Sequence, residues 1–416
     1  MRNSGFLWVL TGMMVLMDLY IFQVVKSLMQ QASPVTRLII SVVYWLMAGL
    51  TLLIMIGFPY VKSASVPQSV RTYLLAILVG LFAAKLIASI VFGLDDLRRG
   101  ITWLIGSLQS RDITAPAGEG ISRSAFLSWL GLGLGGGLLG TLMYGFSNKY
   151  NYQVIRKQLR FPNVPEAFHG LRIVHISDIH AGSFTNKKAV IKGIEKIMQE
   201  KPDLILFTGD LVNDKATEMD DYMDVFSRLK APMGVYSTLG NHDYGDYIAW
   251  ESSFIKAKNL ERLKEIHAEL GWKLLMNEHV PLERDGQQIA LLGIENWSNK
   301  SSFPKYGRLD EAHKGTEAIP FKILLSHDPS HWSAEVQKKY SDIDLMLAGH
   351  THGMQFGVEV PGFRWSPVQY MYEHWSGLYE NEKQKLYVNR GFGFIGYPGR
   401  VGILPEITVL ELEKQV

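Results

Sequence analysis

Asp178 and His180 stand one residue apart in "HISDIHAGSF" (175–184), directly after the apolar run "LRIV". A carboxylate and an imidazole at the end of a buried strand are costly unless something pairs with them, and a divalent cation would do so. Four similar places follow. Asp210 ends "FTGD", Asn241, His242 and Asp243 end "LGNHD", His327 lies in "LLSHDP", and His350 and His352 lie in "LAGHTHG". The donors are oxygen and imidazole only, because the chain has no cysteine. That excludes zinc ribbons, Fe–S clusters, disulfides and Cys nucleophiles. The set fits Mn, Fe, Zn, Co or Mg and disfavours Cu(I). Asp178, His180, Asp210, Asn241, His327, His350 and His352 are too many donors for one tetrahedral ion. They suit two ions roughly 3.5–4 Å apart, with one carboxylate bridging them. In extended chain, residues i and i+2 face one way, so Asp178 with His180, and His350 with His352, are each expected to point to one side. Glycines at 209, 240, 349 and 353 allow the close approaches such a cluster needs.

The elements that must carry these residues alternate. "LRIVHIS", "DLILFTGD" (203–210) and "GVYSTLGNHD" (234–243) read as strands with their loops. "NKKAVIKGIEKIMQE" (186–200), "DDYMDVFSRLK" (220–230) and "NLERLKEIHAEL" (259–270) have helical spacing. "QQIALLGI", "FKILLSHD", "DIDLMLAGHTHG", "KLYVNRG" and "EITVLELE" read mostly as strands. The pattern is a layered α/β domain with a second or mixed sheet. Its polar residues gather at the carboxyl ends of strands, where open α/β sheets bind ligands.

The ordered set D-x-H, G-D, G-N-H-D, H and G-H-x-H, read here as Asp178/His180, Gly209-Asp210, Gly240-Asn241-His242-Asp243, His327 and Gly349-His350-Thr351-His352, resembles the calcineurin-like metallophosphoesterase family. The resemblance covers about residues 170–412, and "LRIVHISDIHAG" and "GVYSTLGNHDY" look like its membrane-anchored bacterial phosphodiesterase branch. It implies a β-sandwich flanked by helices (αββα). It also implies one ion held by Asp178, His180, Asp210 and His352, and another held by Asp210, Asn241, His327 and His350, with Asp210 shared. His242 would be no ligand but would protonate the leaving group or steady the phosphate, and Asp243 would orient it. "VNRGFG" looks like the family's closing segment beside the site. Members of that branch often carry a twin-arginine export signal, whereas "SRSAFL" (122–127) has only one of the two arginines.

Around this set, Asp328 is expected to orient His327 or cap a turn, and Asp214 is a weaker candidate to support the site. His175, His331 and His374 read as ordinary core or supporting groups. Trp365, Tyr370, Tyr372, Trp375 and Tyr379, in "GFRWSPVQYMYEHWSGLY" (362–379), could line a substrate groove, lie at a membrane interface or form a packed sheet edge.

The first third of the chain is different. All 12 histidines lie between His169 and His374. Before them come four apolar runs, about 6–25, 38–58, 73–94 and 125–146, each near the roughly 20 residues that span a bilayer. The expected division is a membrane region over 1–150 and the phosphoesterase domain over 151–416. Asp18 and Lys85 lie inside spans, as functional groups or as partners of each other. "GLGLGG" (131–136) mimics a dinucleotide-binding loop, but no strand precedes it, and helix packing suits its glycines better. "GFGFIG" (391–396) also fits that pattern, but Pro398 opposes a following helix, so it reads as a loop.

Lys26, Arg37, Arg98, Arg99, Arg111 and Arg123 follow the first and third spans, against Arg2, Lys62, Arg71 and Lys149 on the other side. That bias puts the catalytic domain outside the cytoplasm of a bacterial inner membrane. A formal net charge of +2 gives no reason to expect nucleic acid as a partner.

The reading is therefore a membrane-anchored phosphohydrolase. Two divalent ions (Mn, Fe, Zn or Mg) would support attack of metal-bound hydroxide on a phosphoester, phosphodiester or pyrophosphate, with lipid-linked esters among the substrates. The alternatives are a membrane module that binds or senses a phosphate ligand without cleaving it, and a transport or scaffold protein built on the spans.

Overall fold

The computed structural model describes residues 4–60, 66–109 and 123–415. Arg2, Lys62 and Arg111, used above for orientation, lie outside the described residues. The chain divides into two compact units, Met1–Tyr144 and Gly145–Val416.

The first unit is built from α1 (Ser4–Leu28), α2 (Pro34–Gly57), α3 (Gln68–Gln109) and α4 (Arg123–Asn148). All four are long and apolar enough to cross a membrane. Ser33 caps α2, its hydroxyl accepting the Thr36 N–H, with Pro34 in the first turn. Helix α3 runs well past the third apolar run. Arg98 and Arg99 are therefore on a helix rather than in a loop, where they pair with Asp95 and Asp96. Asp18 and Lys85 meet at 2.7 Å, and the Tyr44 hydroxyl donates to an Asp18 carboxylate oxygen at 3.1 Å. A Cβ at Gly135 would collide with the Ala84 carbonyl, so this glycine lets α3 and α4 touch backbone to backbone.

The second unit holds β1 (Gln153–Phe161), β2 (Arg172–Ile176), β3 (Leu204–Phe207), β4 (Val235–Ser237), β5 (Lys273–Leu274), β6 (Glu278–Arg284), β7 (Gln287–Gly293), β8 (Lys322–Leu325), β9 (Leu345–Ala348), β10 (Val358–Val360), β11 (Phe363–Trp365), β12 (Gly377–Asn381), β13 (Gln384–Val388) and β14 (Glu406–Lys414). They form two six-stranded sheets, ordered β1-β14-β2-β3-β4-β5 and β12-β13-β9-β8-β7-β6, and a hairpin, β10-β11. The site-bearing neighbours β2, β3 and β4 are parallel, as are β8 and β9.

Alternation along the strands builds the layers. Ile173, Leu204, Leu206 and Leu410 of one sheet meet Ile289, Leu291, Ile323, Leu325, Leu345 and Leu347 of the other. The opposite face of the first sheet, with Val174, Ile176, Ile205 and Phe207, packs on α5 (Lys187–Gln199) and α6 (Ser253–Glu269) through Val190, Ile194, Leu263 and Ile266. The outer face of the second sheet, with Leu292, Leu324 and Met346, packs on Leu309, Ala312, Trp332 and Val336. Both faces of each sheet are therefore covered, which is why these strands read as continuous apolar runs. The architecture is the expected αββα sandwich.

Two expectations change. The 220–230 helix shrinks to Met223–Phe226, because the preceding residues take tighter turns. The 259–270 helix starts earlier, at Ser253, where the Ser252 hydroxyl accepts the Ile255 N–H.

Candidate metal centre

The loops after β2, β3, β4, β8 and β9 converge. Asp178, His180 and His352 place one donor atom each within 4.8 Å of one another, and so do Asp210, His327 and His350. Asp210 lies between the triads, with Oδ2 3.1 Å from His327 Nε2 and 3.5 Å from His180 Nε2. His180 Nε2 and His352 Nε2 are 3.1 Å apart, and His350 Nδ1 is 3.3 Å from His327 Nε2. His352 Nε2 is 3.2 Å from Asp178 Oδ1.

The backbone that achieves this is not extended. Asp178, His180, Asp210, His350 and His352 all have positive φ, between 50° and 69°. Left-handed conformations cost energy in non-glycine residues, although Asp, Asn and His adopt them more readily than most. The strand alternation expected for the two D-x-H and H-x-H pairs therefore does not apply. Asp178 and His180 fall in the same triad, while His350 and His352 are turned into different ones. A Cβ on Gly349 would strike Ser177 Oγ and Asp178 Oδ2, so only glycine lets the β9 loop close on the β2 loop.

The surrounding bonds aim these groups. His327 Nδ1–H donates to the Thr208 carbonyl at 2.7 Å, leaving Nε2 for the centre. His350 Nε2 lies 2.8 Å from the Tyr372 hydroxyl, which donates to Asp328 Oδ2 at 3.4 Å, so His350 faces the centre through Nδ1. Asp328 thus supports His350 rather than His327, and its other oxygen accepts the Ser330 N–H. His175 bonds Thr208 Oγ1 at 2.9 Å inside the sandwich. The Asn241 Nδ2 donates to the Tyr247 hydroxyl at 2.8 Å, while its buried Oδ1 has no hydrogen-bond partner among the described residues.

Asp243 makes its contacts with backbone. Its carboxylate accepts the N–H groups of Asp210 and Gly240 on one oxygen, at 2.8 and 2.9 Å, and those of Leu211 and Val212 on the other, at 2.8 and 3.2 Å. It clamps the β3 loop to the β4 loop. The His242 ring donates through Nδ1 to the Asn213 carbonyl at 2.8 Å, and its backbone N–H donates to Asp210 Oδ1 at 2.9 Å. No sequence signal marks Asn213, because it acts through its backbone. Tyr247, 4.5 Å from the His242 ring between centroids, and Phe303, edge-on to His350 at 4.7 Å, were also not singled out by spacing. The "GFGFIG" segment is a loop, and the N–H groups of Phe392 and Gly393 donate to Ser177 and Asp178 carbonyls at 2.8 Å.

Electrostatics suit a cation. Burial pushes His180 well below the usual imidazole range and lowers His350 and His352 too, so these rings are neutral and have lone pairs to give. Burial alone would raise Asp210, but the neighbouring imidazoles, His327 first, outweigh it and hold the carboxyl well below its normal value. Burial likewise disfavours charge on His327, yet Asp210 pushes it up to about 10. Asp214, half-buried, is pushed up to about 6 by burial. Two buried carboxylates, four imidazoles and the unpartnered Asn241 Oδ1 fit a pair of divalent ions in donor type and number.

Residues 171–354 match the family model for calcineurin-like phosphoesterases, and residues 1–149 match the model for the transmembrane domain of a probable calcineurin-like phosphoesterase. A transmembrane protein with a metallophosphoesterase domain from Danio rerio is 28% identical over 269 residues, which are 63% of this chain and 57% of that protein. The metallophosphoesterase YkuE of Bacillus subtilis is 29% identical over 60% of this chain and 82% of its own length. The phosphodiesterase YaeI of Escherichia coli is 28% identical over 63% of this chain and 88% of its own length. With its four apolar helices and the αββα sandwich behind them, the chain belongs to the calcineurin-like metallophosphoesterases, in a membrane-anchored form.

Proposed function

We propose that the protein is a dinuclear-metal-dependent phosphohydrolase, cleaving a phosphoester, phosphodiester or pyrophosphate, with lipid-linked esters as its preferred substrates. The observation that carries this reading is the pair of triads meeting at Asp210. Asp178, His180, Asp210 and His352 would hold one ion, and Asp210, Asn241, His327 and His350 the other. Bound there, the ions supply an acidified water and offset charge on the phosphoryl oxygens. The protein's own residues do the rest. Asp243 fixes the backbone that presents Asp210, and the His242 N–H fixes which Asp210 oxygen faces the centre. Asn213 holds the His242 Nδ1 proton, so Nε2 is the atom left to hydrogen-bond the substrate phosphate or pass a proton to the leaving oxygen.

The preference for lipid-linked esters is supported by the spans, which keep the domain at a bilayer. The excess of Lys and Arg after the first and third spans supports a bacterial inner-membrane protein with its catalytic domain outside the cytoplasm.

Hydrolysis of bis-p-nitrophenyl phosphate and p-nitrophenyl phosphate by the purified full chain, with and without Mn²⁺, tests the reading. Metal-dependent release that Asp210→Asn abolishes is the expected result. Phosphate binding without release under any metal would favour the sensing alternative.

A further inference from the structure

The β10–β11 hairpin is amphipathic the wrong way round for a soluble domain. Its cross-strand pairs are Val358 with Trp365, Glu359 with Arg364, and Val360 with Phe363. Opposed residues share a face, so Val358, Trp365, Val360 and Phe363 line one side, and Glu359 and Arg364 the other. The charged side faces the domain: Glu359 pairs with Arg390, and Arg364 donates to the Ser376 carbonyl and stacks on Trp375 at 4.9 Å. The apolar side faces out. Val358 is 44% exposed, Val360 53% and Phe363 57%, and nearby Tyr370 and Met371 are 77% and 55% exposed. Hydrophobic groups clustered on a surface, with their polar partners turned inward, mark a surface that something apolar covers.

The root of the hairpin is tied to the last turns of α4. Val401 donates to the Gln355 carbonyl at 2.8 Å and accepts the Gly357 N–H at 2.9 Å, just before β10. Its neighbour Arg400 donates its N–H to the Gly145 carbonyl at 2.9 Å, in the last turns of α4. The hairpin is thus anchored beside the point where the fourth span ends. Only residues 149–152 separate α4 from β1, a tether of at most about 14 Å.

We propose that the β10–β11 hairpin, with Tyr370 and Met371, is a membrane-docking element that sets its apolar face into the headgroup–acyl boundary beside the fourth span. Val, Phe, Tyr, Trp and Met on a face flanked by charge are the residues that partition there. The same stretch of chain leads to Tyr372, whose hydroxyl bonds His350. Docking therefore places the mouth of the metal centre at the lipid surface, and its substrates are amphiphilic phosphoesters taken from the bilayer. That second consequence rests on the proposed phosphohydrolase reading; the docking does not.

The natural chain has no cysteine, so a single introduced one is a unique label site. Full-length Phe363→Cys, Val358→Cys and, as control, Glu283→Cys, at the far end of the second sheet, are labelled with an environment-sensitive nitrobenzoxadiazole dye. They are reconstituted in vesicles of equal parts phosphatidylcholine and phosphatidylglycerol, with or without acyl-brominated lipid. Blue-shifted emission quenched by the brominated lipid at 363 and 358, and water-like unquenched emission at 283, is the expected result. Water-like emission at 363 and 358 would overturn the proposal. So would a blue shift that brominated lipid leaves unquenched, since a second copy or another protein would then cover the face. Hydrolysis of bis-p-nitrophenyl phosphate by the unlabelled wild type, run in parallel, reports on the catalytic reading separately.

Discussion

His180 and His352, 172 positions apart, face each other through their Nε2 atoms at 3.1 Å inside the protein. A hydrogen bond between two neutral imidazoles adds no charge, and beside them the carboxylates of Asp178 and Asp210 have only the His327 ring as a cation. Divalent cations would supply the missing positive charge, and the surrounding hydrogen bonds hold these rings in place for them.

His242 and Asp243 are adjacent but differ in what they hold. His242→Gln is expected to reduce turnover by about a hundredfold to ten-thousandfold with metal content unchanged. Asp243→Asn replaces one of the two carboxylate oxygens, each of which accepts two N–H groups, with an amide donor, and is expected to cost roughly 1–3 kcal/mol of stability. Steady-state kinetics and thermal unfolding on the two variants separate the roles. An Asp243→Asn protein as stable as wild type would contradict the clamp.

Tyr372 supports His350 from behind. Tyr372→Phe removes the hydroxyl 2.8 Å from Nε2 and is expected to weaken metal affinity or activity about tenfold to a hundredfold. A metal titration followed by activity recovery measures it, and an unchanged titration curve would contradict the assignment.

His267 makes stability depend on pH. It is buried on α6 against Ser237 Oγ at 2.9 Å, and burial lowers its pKa to about 3. The unfolded chain binds a proton near pH 6.5 that the folded chain refuses, so this stability is complete above that pH. It is lost as pH falls toward 3, about 2 kcal/mol by pH 5. Chemical denaturation from pH 8 to 5 should show a shallower acid limb in His267→Gln than in wild type. Identical limbs would contradict it.

Among the spans, Lys85, partly buried, pairs with the buried Asp18. Lys85→Met strands the carboxylate and is expected to cost about 3–5 kcal/mol, whereas Asp18→Leu with Lys85→Met recovers most of that loss. Melting temperatures in detergent decide, and equal single and double variants would contradict the pairing.

The site residues were legible because each ends a strand and keeps a fixed order, and the spans were legible from hydropathy. The geometry between them was not. The i, i+2 rule assumes extended backbone, and the positive φ at Asp178, His180, His350 and His352 breaks it. The Asp243 clamp and the Asn213 carbonyl are bonds to backbone, which no residue type announces. β1 is not among the strands read from the sequence, because its basic residues hide the alternation by which Leu159 and Phe161 reach the core beside β14.

The count of divalent ions on the purified full chain, by elemental analysis of the wild type and of Asp210→Asn, tests the account at its centre. Close to two ions per chain in the wild type, falling in Asp210→Asn together with turnover, is the predicted result. Full turnover in a chain carrying one ion or none would contradict it.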